Sequence, residues 1–577
     1  MRLKGVAAAP GVAVGPAWRH EEGQGEAPLP DIRAAAARAA ADLTDLAERV
    51  RRAGRPEEAA IFEAQALMAE DPMLLEGSER RAASLTDPDA IAAAVEAEAR
   101  AAAEPLAAIP DELLAARATD VRDVGGRIAR IIAGRSIRLP DRPSIAIADD
   151  LPPSVTAEIP EGLLLGIALE RGSAVSHAAI LARSLGIPAV VAVGGLWAAA
   201  QAEGPSLTIG LDGDGGSVVL DPGERELAEL RAAGERRVAA AEAARALRDR
   251  PGATADGHRV ALLANIGKPE DAARAIEAGA EGVGLFRTEF LYVGRSDAPS
   301  EEEQTRAYRA VLDAFGERPV VIRLIDIGGD KPVPYLHLEP EANPFLGMRG
   351  LRLAHANREL QLQQVRAIAR AGAGARAVPR LMAPMVATVE DVELLRGLVD
   401  EALADLDAGG IARAAELEVG IMVEVPSAAL LASELARRVD FFSIGSNDLT
   451  QYVLAMDRTH PGFAATADAL HPAVLRAIRE TVHGAEAAGI EVAVCGELAG
   501  DPLGALVLVG LGVTELSMDA GRLDEVRAAV AARTRAELVA LAEAALAAET
   551  AAAVRALVTD PGTPAAGATA GGVSSRA

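Results

Sequence analysis

The sequence predicts a multidomain α/β protein in which a small α/β domain with an inserted helical domain precedes a C-terminal (β/α)8 barrel of the TIM type. Its 577 residues are too many for one hydrophobic core and indicate about three or four domains. A long helical pattern separates strand-like runs near the start of the chain from similar runs after residue 143. Eight further strand-like runs follow from residue 260 onward, and helical patterns separate most of them.

The eight later runs are the strongest evidence for a fold. Eight strand-and-helix units in about 280 residues are typical of a (β/α)8 barrel. A doubly wound open sheet is the alternative, but no GxGxxG turn opens the first unit. The predicted strands are 260–267, 282–290, 320–328, 380–386, 419–426, 441–449, 491–498 and 514–519.

The helical block is predicted for residues 22–142, where long runs of Ala, Glu, Arg and Leu favour helix. Because strand-like runs lie on both sides of it, we expect it to be inserted into one α/β domain made of residues 1–21 and 143–223. Three prolines are expected to separate the helices: Pro56, Pro72 and Pro105.

The remaining segments complete the predicted organisation. Residues 1–20 are expected to form one or two short strands, and a helix is expected from His177 to Ser184. The strand-like runs around that helix are SIAIA, GLLLGIAL, IPAVVAV and LTIGLDG. Three later segments are a linker helix at 224–252, the barrel at 253–550 and a tail at 551–577 that is expected to be disordered because it lacks periodicity.

Composition limits the possible partners. The net charge of −26 disfavours non-specific binding to nucleic acid or to anionic lipid, so an anionic substrate requires a local basic pocket. The single cysteine excludes an intrachain disulfide and suits a reducing cytoplasm. Glycines and prolines interrupt the apolar N-terminus, and no apolar stretch is long enough to span a bilayer. We therefore expect a cytoplasmic protein without membrane insertion.

Polar residues follow the apolar part of several barrel strands, at the end where such barrels place their active sites. Strand ends are wetter than strand middles, but this does not explain three arginines and a lysine near one rim of so acidic a chain: Arg287, Arg323, Arg349 and Lys331. Guanidinium groups suit carboxylate and phosphate oxygens. The pattern predicts a site for a multiply charged anion.

Two carboxylates are predicted at the ends of neighbouring strands. Glu424 and Asp448 fit a hard divalent cation such as Mg²⁺, which shares its coordination shell with substrate oxygens and water. Ion-paired carboxylates at the rim are the alternative interpretation, and the residues alone leave both open.

Cys495 and His177 are candidates for catalysis, each with a structural alternative. A lone cysteine at the end of a strand is usually a small buried hydrophobe, but a thiol that faces charged groups can act as an acid or a nucleophile. His177 begins a predicted helix after Ser176, where backbone N–H groups favour a neutral imidazole and an anion bonded to it. It is either an ordinary residue at a helix start or a phosphoryl acceptor, and the metal-ligand reading is weak because no histidine or cysteine lies at ligand spacing.

Nine segments occur in order between residue 5 and about residue 505: VAAAPGVAVGPA, IFEAQALMAEDPML, ATDVRDVGGRI, SHAAILARSLGIPAVV, GLFRTEFLY, IRLIDIGGDKPVPYL, NPFLGMRG, GSNDLTQYVLAMDR and CGELAGDP. Together they resemble the enzyme I family of the bacterial sugar phosphotransferase system, the phosphoenolpyruvate–protein phosphotransferases. The barrel segments also resemble pyruvate phosphate dikinase and phosphoenolpyruvate synthase, but those enzymes need a nucleotide-grasping domain for which we find no room.

The resemblance implies a role for each candidate. The first α/β domain would be a swivelling phosphohistidine domain, in which Nε2 of His177 accepts the phosphoryl group of phosphoenolpyruvate. Cys495 would protonate the enolate carbon to give pyruvate, and Glu424 and Asp448 would hold Mg²⁺. The implied substrate-binding residues are Arg287, Arg323, Lys331, Arg349, Asn447, Asp448 and Arg458.

The resemblance also implies partners, and it has one departure. The helical block would bind the carrier protein HPr, and the barrel would form a homodimer. Family members carry Arg-Thr where this chain has Ala174-Val175, so any contact that those two side chains make is in doubt. A regulatory paralogue that binds phosphoenolpyruvate without relaying phosphate remains the alternative function. A nitrogen-branch acceptor is a weaker one, because that version usually adds an N-terminal sensory domain.

Overall fold

The computed structural model describes most of the chain, which divides into two compact units, Met1–Ala240 and Ala241–Ala577. The described residues are 1–20, 22–52, 56–107, 112–160, 162–172, 176–204, 206–293, 295–328, 335–336, 339, 341–457, 460, 463 and 466–559, and a few helical residues among them, including His177, are described without their side chains. Within these ranges, no helix is both long and apolar enough to cross a membrane.

Strands from both sides of the helical block form one eight-stranded sheet in the first unit, with the order β1-β10-β9-β3-β6-β7-β8-β2. Strand β3 pairs in parallel with β6 across the insertion, with Ala17 opposite Ile145. This pairing confirms the predicted interrupted α/β fold. The strands of this unit are β1 (Arg2–Lys4), β2 (Val6–Ala9), β3 (Val12–Arg19), β4 (Glu22–Gln24), β5 (Arg135–Ile137), β6 (Ser144–Ala148), β7 (Leu164–Leu169), β8 (Ala189–Val191), β9 (Thr208–Asp212) and β10 (Ser217–Leu220).

The helices that begin in this unit are α1 (Ile32–Arg52), α2 (Pro56–Ala69), α3 (Pro72–Ala82), α4 (Pro88–Ala107), α5 (Glu112–Ala133), α6 (Pro153–Glu158), α7 (His177–Leu185), α8 (Leu196–Ala202) and α9 (Glu224–Arg245), the last of which continues past Ala240. Small side chains let the helices of the block approach closely. A Cβ on Gly125 of α5 would lie 2.2 Å from the Cβ of Ala99 of α4, so this crossing requires glycine.

Two details differ from the sequence prediction. Pro56 and Pro72 begin helices, where the missing N–H is not needed, but Pro105 lies inside the last turn of α4 and separates nothing. The first twenty residues contain three strands rather than one or two, because Pro10 and Gly11 (φ 130°) break the apolar run between β2 and β3.

The second unit contains the predicted barrel. All eight strand-like runs are strands of one closed parallel barrel, in chain order. Most are shorter than predicted, because the polar residues after each apolar run lie in loops or begin helices. The strands are β11 (Ala261–Ile266), β12 (Val283–Phe286), β13 (Val320–Arg323), β14 (Pro379–Ala383), β15 (Glu418–Val423), β16 (Phe441–Ile444), β17 (Glu491–Val494) and β18 (Glu515–Met518).

The helices of this unit are α10 (Asp271–Glu277), α11 (Glu301–Phe315), α12 (Arg358–Ala371), α13 (Val389–Ala408), α14 (Pro426–Leu430), α15 (Ala432–Ala436), α16 (Ser446–Leu454), α17 (Pro472–Ala488), α18 (Pro502–Gly510), α19 (Leu523–Ala531), α20 (Arg535–Ala547) and α21 (Ala551–Thr559). Helix α21 corrects the prediction of a disordered tail at 551–577 for its first nine residues. Val554 is fully buried, and Arg555 donates to Asp468 at 2.8 Å. These contacts stabilise the segment, and the rest of the tail lies outside the described residues.

A buried arginine closes the floor of the barrel, at the N-terminal ends of the strands. The guanidinium of Arg380 donates to Glu418 at 2.6 Å and to Glu491 at 2.7 Å, and it lies 3.5 Å from Glu515. It also stacks over the ring of Phe441, 4.3 Å from its centroid. Because this cluster lies at the N-terminal ends of the strands, away from the rim, it serves stability rather than chemistry.

We expect Arg380→Met to lower the free energy of unfolding of the barrel by about 3 kcal/mol, because it leaves the buried carboxylate of Glu515 without its cation and also removes the pairs with the more exposed Glu418 and Glu491. Burial raises the pKa of Glu515 from 4.5 to about 6. The folded state therefore holds this proton more tightly than the unfolded state, and stability falls as pH rises through that range. Arg380 lowers the pKa of Glu515 against the effect of burial, so its loss should raise this pKa further, and the deficit of the variant should be small near pH 4.5 and grow above pH 6 in urea titrations. Arg376→Met, which removes only an exposed pair with Glu317, is the control, and an equal loss in both variants would contradict the prediction.

Candidate active site at the barrel rim

Arg323 is the last residue of β13, and its guanidinium is buried at the C-terminal rim of the barrel. It donates to the carboxylate of Glu289 and lies 3.5 Å from the carboxylate of Asp326. Burial opposes the charge, but these acids and Glu424 outweigh it and raise the pKa of Arg323 above its ordinary value. The loop after the neighbouring strand β12 supplies Glu289, so the charge is held by two adjacent units of the barrel.

Arg349 is the second buried arginine of the rim. Its guanidinium donates two hydrogen bonds to the carboxylate of Asp326, one from Nε at 3.1 Å and one from an Nη atom at 2.8 Å. Its other Nη atom donates to Asp448 and to the hydroxyl of Tyr452, both at 3.3 Å. The bidentate geometry fixes the plane of the guanidinium. Asp326 therefore joins Arg323 to Arg349, and Arg349 continues the network to Asp448.

Glu424 follows β15 and is completely buried. One of its carboxylate oxygens accepts the N–H of Met385 at 2.7 Å, and the other has no hydrogen-bond partner in the described part of the chain. Burial and the nearby Asp448 and Asp326 raise its pKa from 4.5 to about 8. A Cβ on Gly445 would lie 2.7 Å from the free oxygen, so glycine keeps the space beside it open.

Met385 holds its N–H toward Glu424 from a left-handed backbone conformation, with φ 59°. Such a conformation is unfavourable for a side chain of this kind and clusters at functional sites. The sequence contains no signal for it, because PMV resembles any other apolar strand end.

Cys495 follows β17, and both interpretations made from the sequence apply to it: the side chain is a small buried hydrophobe, and its thiol lies near charged groups. Its side chain is 2% exposed and packs with the apolar residues that fill the barrel beneath the rim. Its thiol donates to the carbonyl of Ile444 at 3.7 Å. Burial raises the pKa of Cys495 from 9.0 to about 11, although Arg323 and Arg287 act in the opposite direction. The thiol is therefore a protonated group close to the charged cluster.

The remaining described rim residues surround the cluster. Asn447 lies in the first turn of α16 rather than in a strand; it donates to Glu497 at 3.1 Å and accepts that residue's N–H at 2.9 Å. Arg287 is exposed after β12, and its side chain makes no hydrogen bond with any described residue. Among the described residues of the rim, Arg287 is therefore a cation that is free to contact a ligand.

Helix α7 of the first unit begins at His177, as predicted. Ser176 caps it, because its hydroxyl accepts the N–H of Ala179 at 3.4 Å. Gly186 ends the helix in the left-handed conformation, with φ 67°. The backbone at His177 thus lies at a capped helix N-terminus, while its side chain is not described. Four other positions lie outside the described residues altogether: Lys331, Arg458, Ala174 and Val175.

Two acids were not among the candidate site residues chosen from the sequence. Glu289 lies two residues after Arg287, and Asp326 lies three residues after Arg323. A signal was present, since a cation followed closely by an acid at a strand end favours a rim ion pair. Which arginine each acid contacts depends on barrel closure. Within the described residues, no three His, Cys, Asp or Glu side chains lie close enough to form a metal cluster.

Comparison with protein families shows to which class of protein the domains of this chain are similar. The PEP-binding domain of PEP-utilising enzymes matches residues 241–535, the mobile domain of these enzymes matches 140–216, and their N-terminal domain matches 4–117. These matches cover the barrel, the phosphohistidine candidate and much of the helical block. The chain therefore belongs to the phosphoenolpyruvate-utilising enzymes.

Curated relatives narrow the class. The chain is 43% identical over 95% of its length, and 97% of the relative's, to a phosphoenolpyruvate-protein phosphotransferase of Streptomyces coelicolor. It therefore belongs to the phosphoenolpyruvate–protein phosphotransferase family, as the resemblance predicted. It is also 43% and 42% identical to multiphosphoryl transfer proteins of Rhodobacter capsulatus and Xanthomonas campestris pv. campestris, of which it spans 61% and 66%.

Proposed function

We propose that the protein transfers the phosphoryl group of phosphoenolpyruvate to His177 and then to a histidine of the carrier protein HPr, releasing pyruvate as the first general step of sugar phosphotransfer. The observation that carries the proposal is the buried cluster of Arg323, Arg349 and Glu424 on the rim of a barrel that matches the PEP-binding domain. The domain boundaries predicted from the sequence, the cytoplasmic location and the homodimer through the barrel belong to the same proposal.

The charges of the described rim support a substrate that binds with a divalent cation. Arg287, Arg323 and Arg349 supply three positive charges. The acids Glu289, Asp326, Glu424 and Asp448 supply four negative charges when all are ionised, so these seven groups together then have a formal charge of −1. An anionic substrate requires the opposite sign, and one bound divalent cation would reverse it.

Glu424 and Asp448 fit such a cation. The free oxygen of Glu424 is buried and unsatisfied, Asp448 is 8% exposed, and both are carboxylates, the ligands that Mg²⁺ prefers. Two protein ligands leave room for substrate oxygens and water. When bound, Mg²⁺ would neutralise phosphate and enolate charge at the rim.

Side chains of the protein itself would orient the substrate, accept the phosphoryl group and donate the proton. Arg323 and Arg349, held by Glu289 and Asp326, would orient the phosphate for in-line transfer, with Arg287, Lys331 and Arg458 also on the substrate. Asn447 would bind the carboxylate end. His177 would attack as a neutral imidazole, with the N–H groups of the α7 N-terminus stabilising the phosphate it receives. Cys495 would then donate its proton to the enolate carbon.

Radioactive labelling of the transferred phosphoryl group tests the proposal. We expect ³²P-labelled phosphoenolpyruvate with Mg²⁺ to place an acid-labile label on the protein and to release pyruvate. Purified HPr should then remove the label. A regulatory paralogue would bind phosphoenolpyruvate with no label and no pyruvate, and that outcome would overturn the proposal.

Glu424→Gln tests the cation site. We expect about a hundredfold loss of phosphoenolpyruvate-dependent pyruvate release, or more, with a higher Mg²⁺ concentration needed for half-maximal rate. The measurement is a Mg²⁺ titration of turnover. Glu416→Gln, which changes an exposed carboxylate just before β15, is the matched control. An unchanged Mg²⁺ dependence in Glu424→Gln would remove this residue from the proposed site.

A further inference from the structure

A cavity of about 230 Å³ lies within the first unit, where the helical block joins the sheet. Its walls come from α1, α5, β5, the end of α6 and the segment between β4 and α1. Its volume is below the about 300 Å³ at which pockets for drug-sized ligands begin. A molecule that binds here is therefore small, and the site is separate in sequence from both the barrel and helix α7.

Most of the charged groups in the wall are matched with each other. Three arginines donate to acids: Arg38 to Glu26 at 2.7 Å, Arg127 to Glu158, and Arg135 to Glu22 at 3.1 Å and to Asp89 at 2.7 Å. These pairs leave no charge over for a ligand. They also place positive and negative side chains around the cavity. A simple anion would therefore meet Glu26 and Glu158, and a simple cation would meet Arg38 and Arg127.

Two wall residues of opposite charge are unmatched. Arg130 of α5 and Asp42 of α1 make no hydrogen bond and no ion pair with any residue in the part of the chain that the structure describes. Burial lowers the pKa of Arg130, with Arg127 repelling it, while Asp123, Glu22 and Glu158 attract it. Burial raises the pKa of Asp42, Glu158 and Asp45 add to this, and Arg127 and Arg38 oppose it. Partly buried charges without a partner are costly, and a ligand that supplies both partners removes the cost.

We propose that this cavity binds a small zwitterion, with its carboxylate on Arg130 and its ammonium group on Asp42. An α-amino acid with a short apolar side chain has this chemistry. The apolar wall residues Leu29, Ile131 and Leu139 give such a side chain a surface to contact. The overall charge of the ligand is zero, which matches a wall with one unmatched cation and one unmatched anion.

Calorimetric titration of the full chain with alanine, valine and leucine tests the proposal, with acetate and methylammonium as the two halves of the ligand. We expect one binding site for at least one of these amino acids and much weaker binding of either half. Arg130→Gln and Asp42→Asn should each weaken binding by about tenfold or more, because each removes a charged hydrogen-bond partner. Arg122→Gln and Glu48→Gln change exposed residues of the same two helices, and they should bind like the wild type.

Ala27→Phe keeps both charges and fills the cavity from an exposed wall position, so it should also abolish binding even if either charge variant folds poorly. No heat with any of the three amino acids would overturn the proposal. Binding that survives in Arg130→Gln, Asp42→Asn and Ala27→Phe would do the same, since the ligand would then lie elsewhere. Acetate binding that equals amino-acid binding and persists in Asp42→Asn would replace the zwitterion with a simple anion.

Discussion

His177→Ala should abolish acid-labile labelling by ³²P-phosphoenolpyruvate and the transfer of label to HPr. The reason is chemical: the imidazole is the group that forms the phosphoryl bond in the proposed reaction, and no neighbouring side chain of the helix start replaces it. Ser176 keeps its capping role in this variant, because its hydroxyl accepts the N–H of Ala179 and not a group of the histidine. The fold of the first unit should therefore be unchanged by circular dichroism.

His258→Ala is the matched control, since it removes a histidine of the second unit whose ring contacts Arg535. It should label like the wild type. Label that survives His177→Ala and is lost in another histidine variant would move the acceptor and contradict the assignment made from the sequence.

Cys495→Ala should slow pyruvate release by about 10²- to 10⁴-fold, the range in which a positioned general acid contributes. Burial raises the pKa of the thiol to about 11, so the wild-type group carries its proton throughout the neutral range and can donate it. The measurement is pyruvate formation under multiple turnover, with phosphoenolpyruvate binding measured separately. Binding should change by only a few fold, because Arg323 and Arg349 keep their carboxylate partners.

Cys495→Ser separates proton donation from packing. The hydroxyl fills nearly the same space but is a much weaker acid, so slow pyruvate release with a normal melting temperature would support the proton-donor role. Wild-type turnover in Cys495→Ala would leave only the alternative interpretation, a small buried hydrophobe beside Met422 and Phe441.

The arrangement of the rim could be anticipated only in part. Periodicity located all eight barrel strands, because a buried strand needs a continuous apolar run and the polar residue after it marks the rim. It did not predict that Asp326 bridges Arg323 and Arg349, since Arg349 follows Asp326 by 23 residues in the chain and meets it only in the folded protein. The sequence also did not predict the left-handed backbone of Met385 or the open space beside Gly445.

The tail shows the limit of composition. An Ala-rich segment of low complexity has no structural preference strong enough to form an ordered element alone. Residues 551–559 nevertheless form a helix, because the side chain of Val554 is buried and Arg555 donates a hydrogen bond to Asp468. Helix propensity allowed this outcome, and tertiary contact selected it.

By itself, the sequence determined the interrupted α/β domain, the barrel, the family and the identity of the candidate groups. Each of these depends on local patterns of apolar, turn and charged residues. The tertiary structure decided which charges are neutralised and which remain available: Arg323 and Arg349 are held by acids, Arg287 is exposed, and one oxygen of Glu424 is left without a partner. The physical reason is that burial and pairing set the energy of a charge, and both depend on residues far apart in the chain.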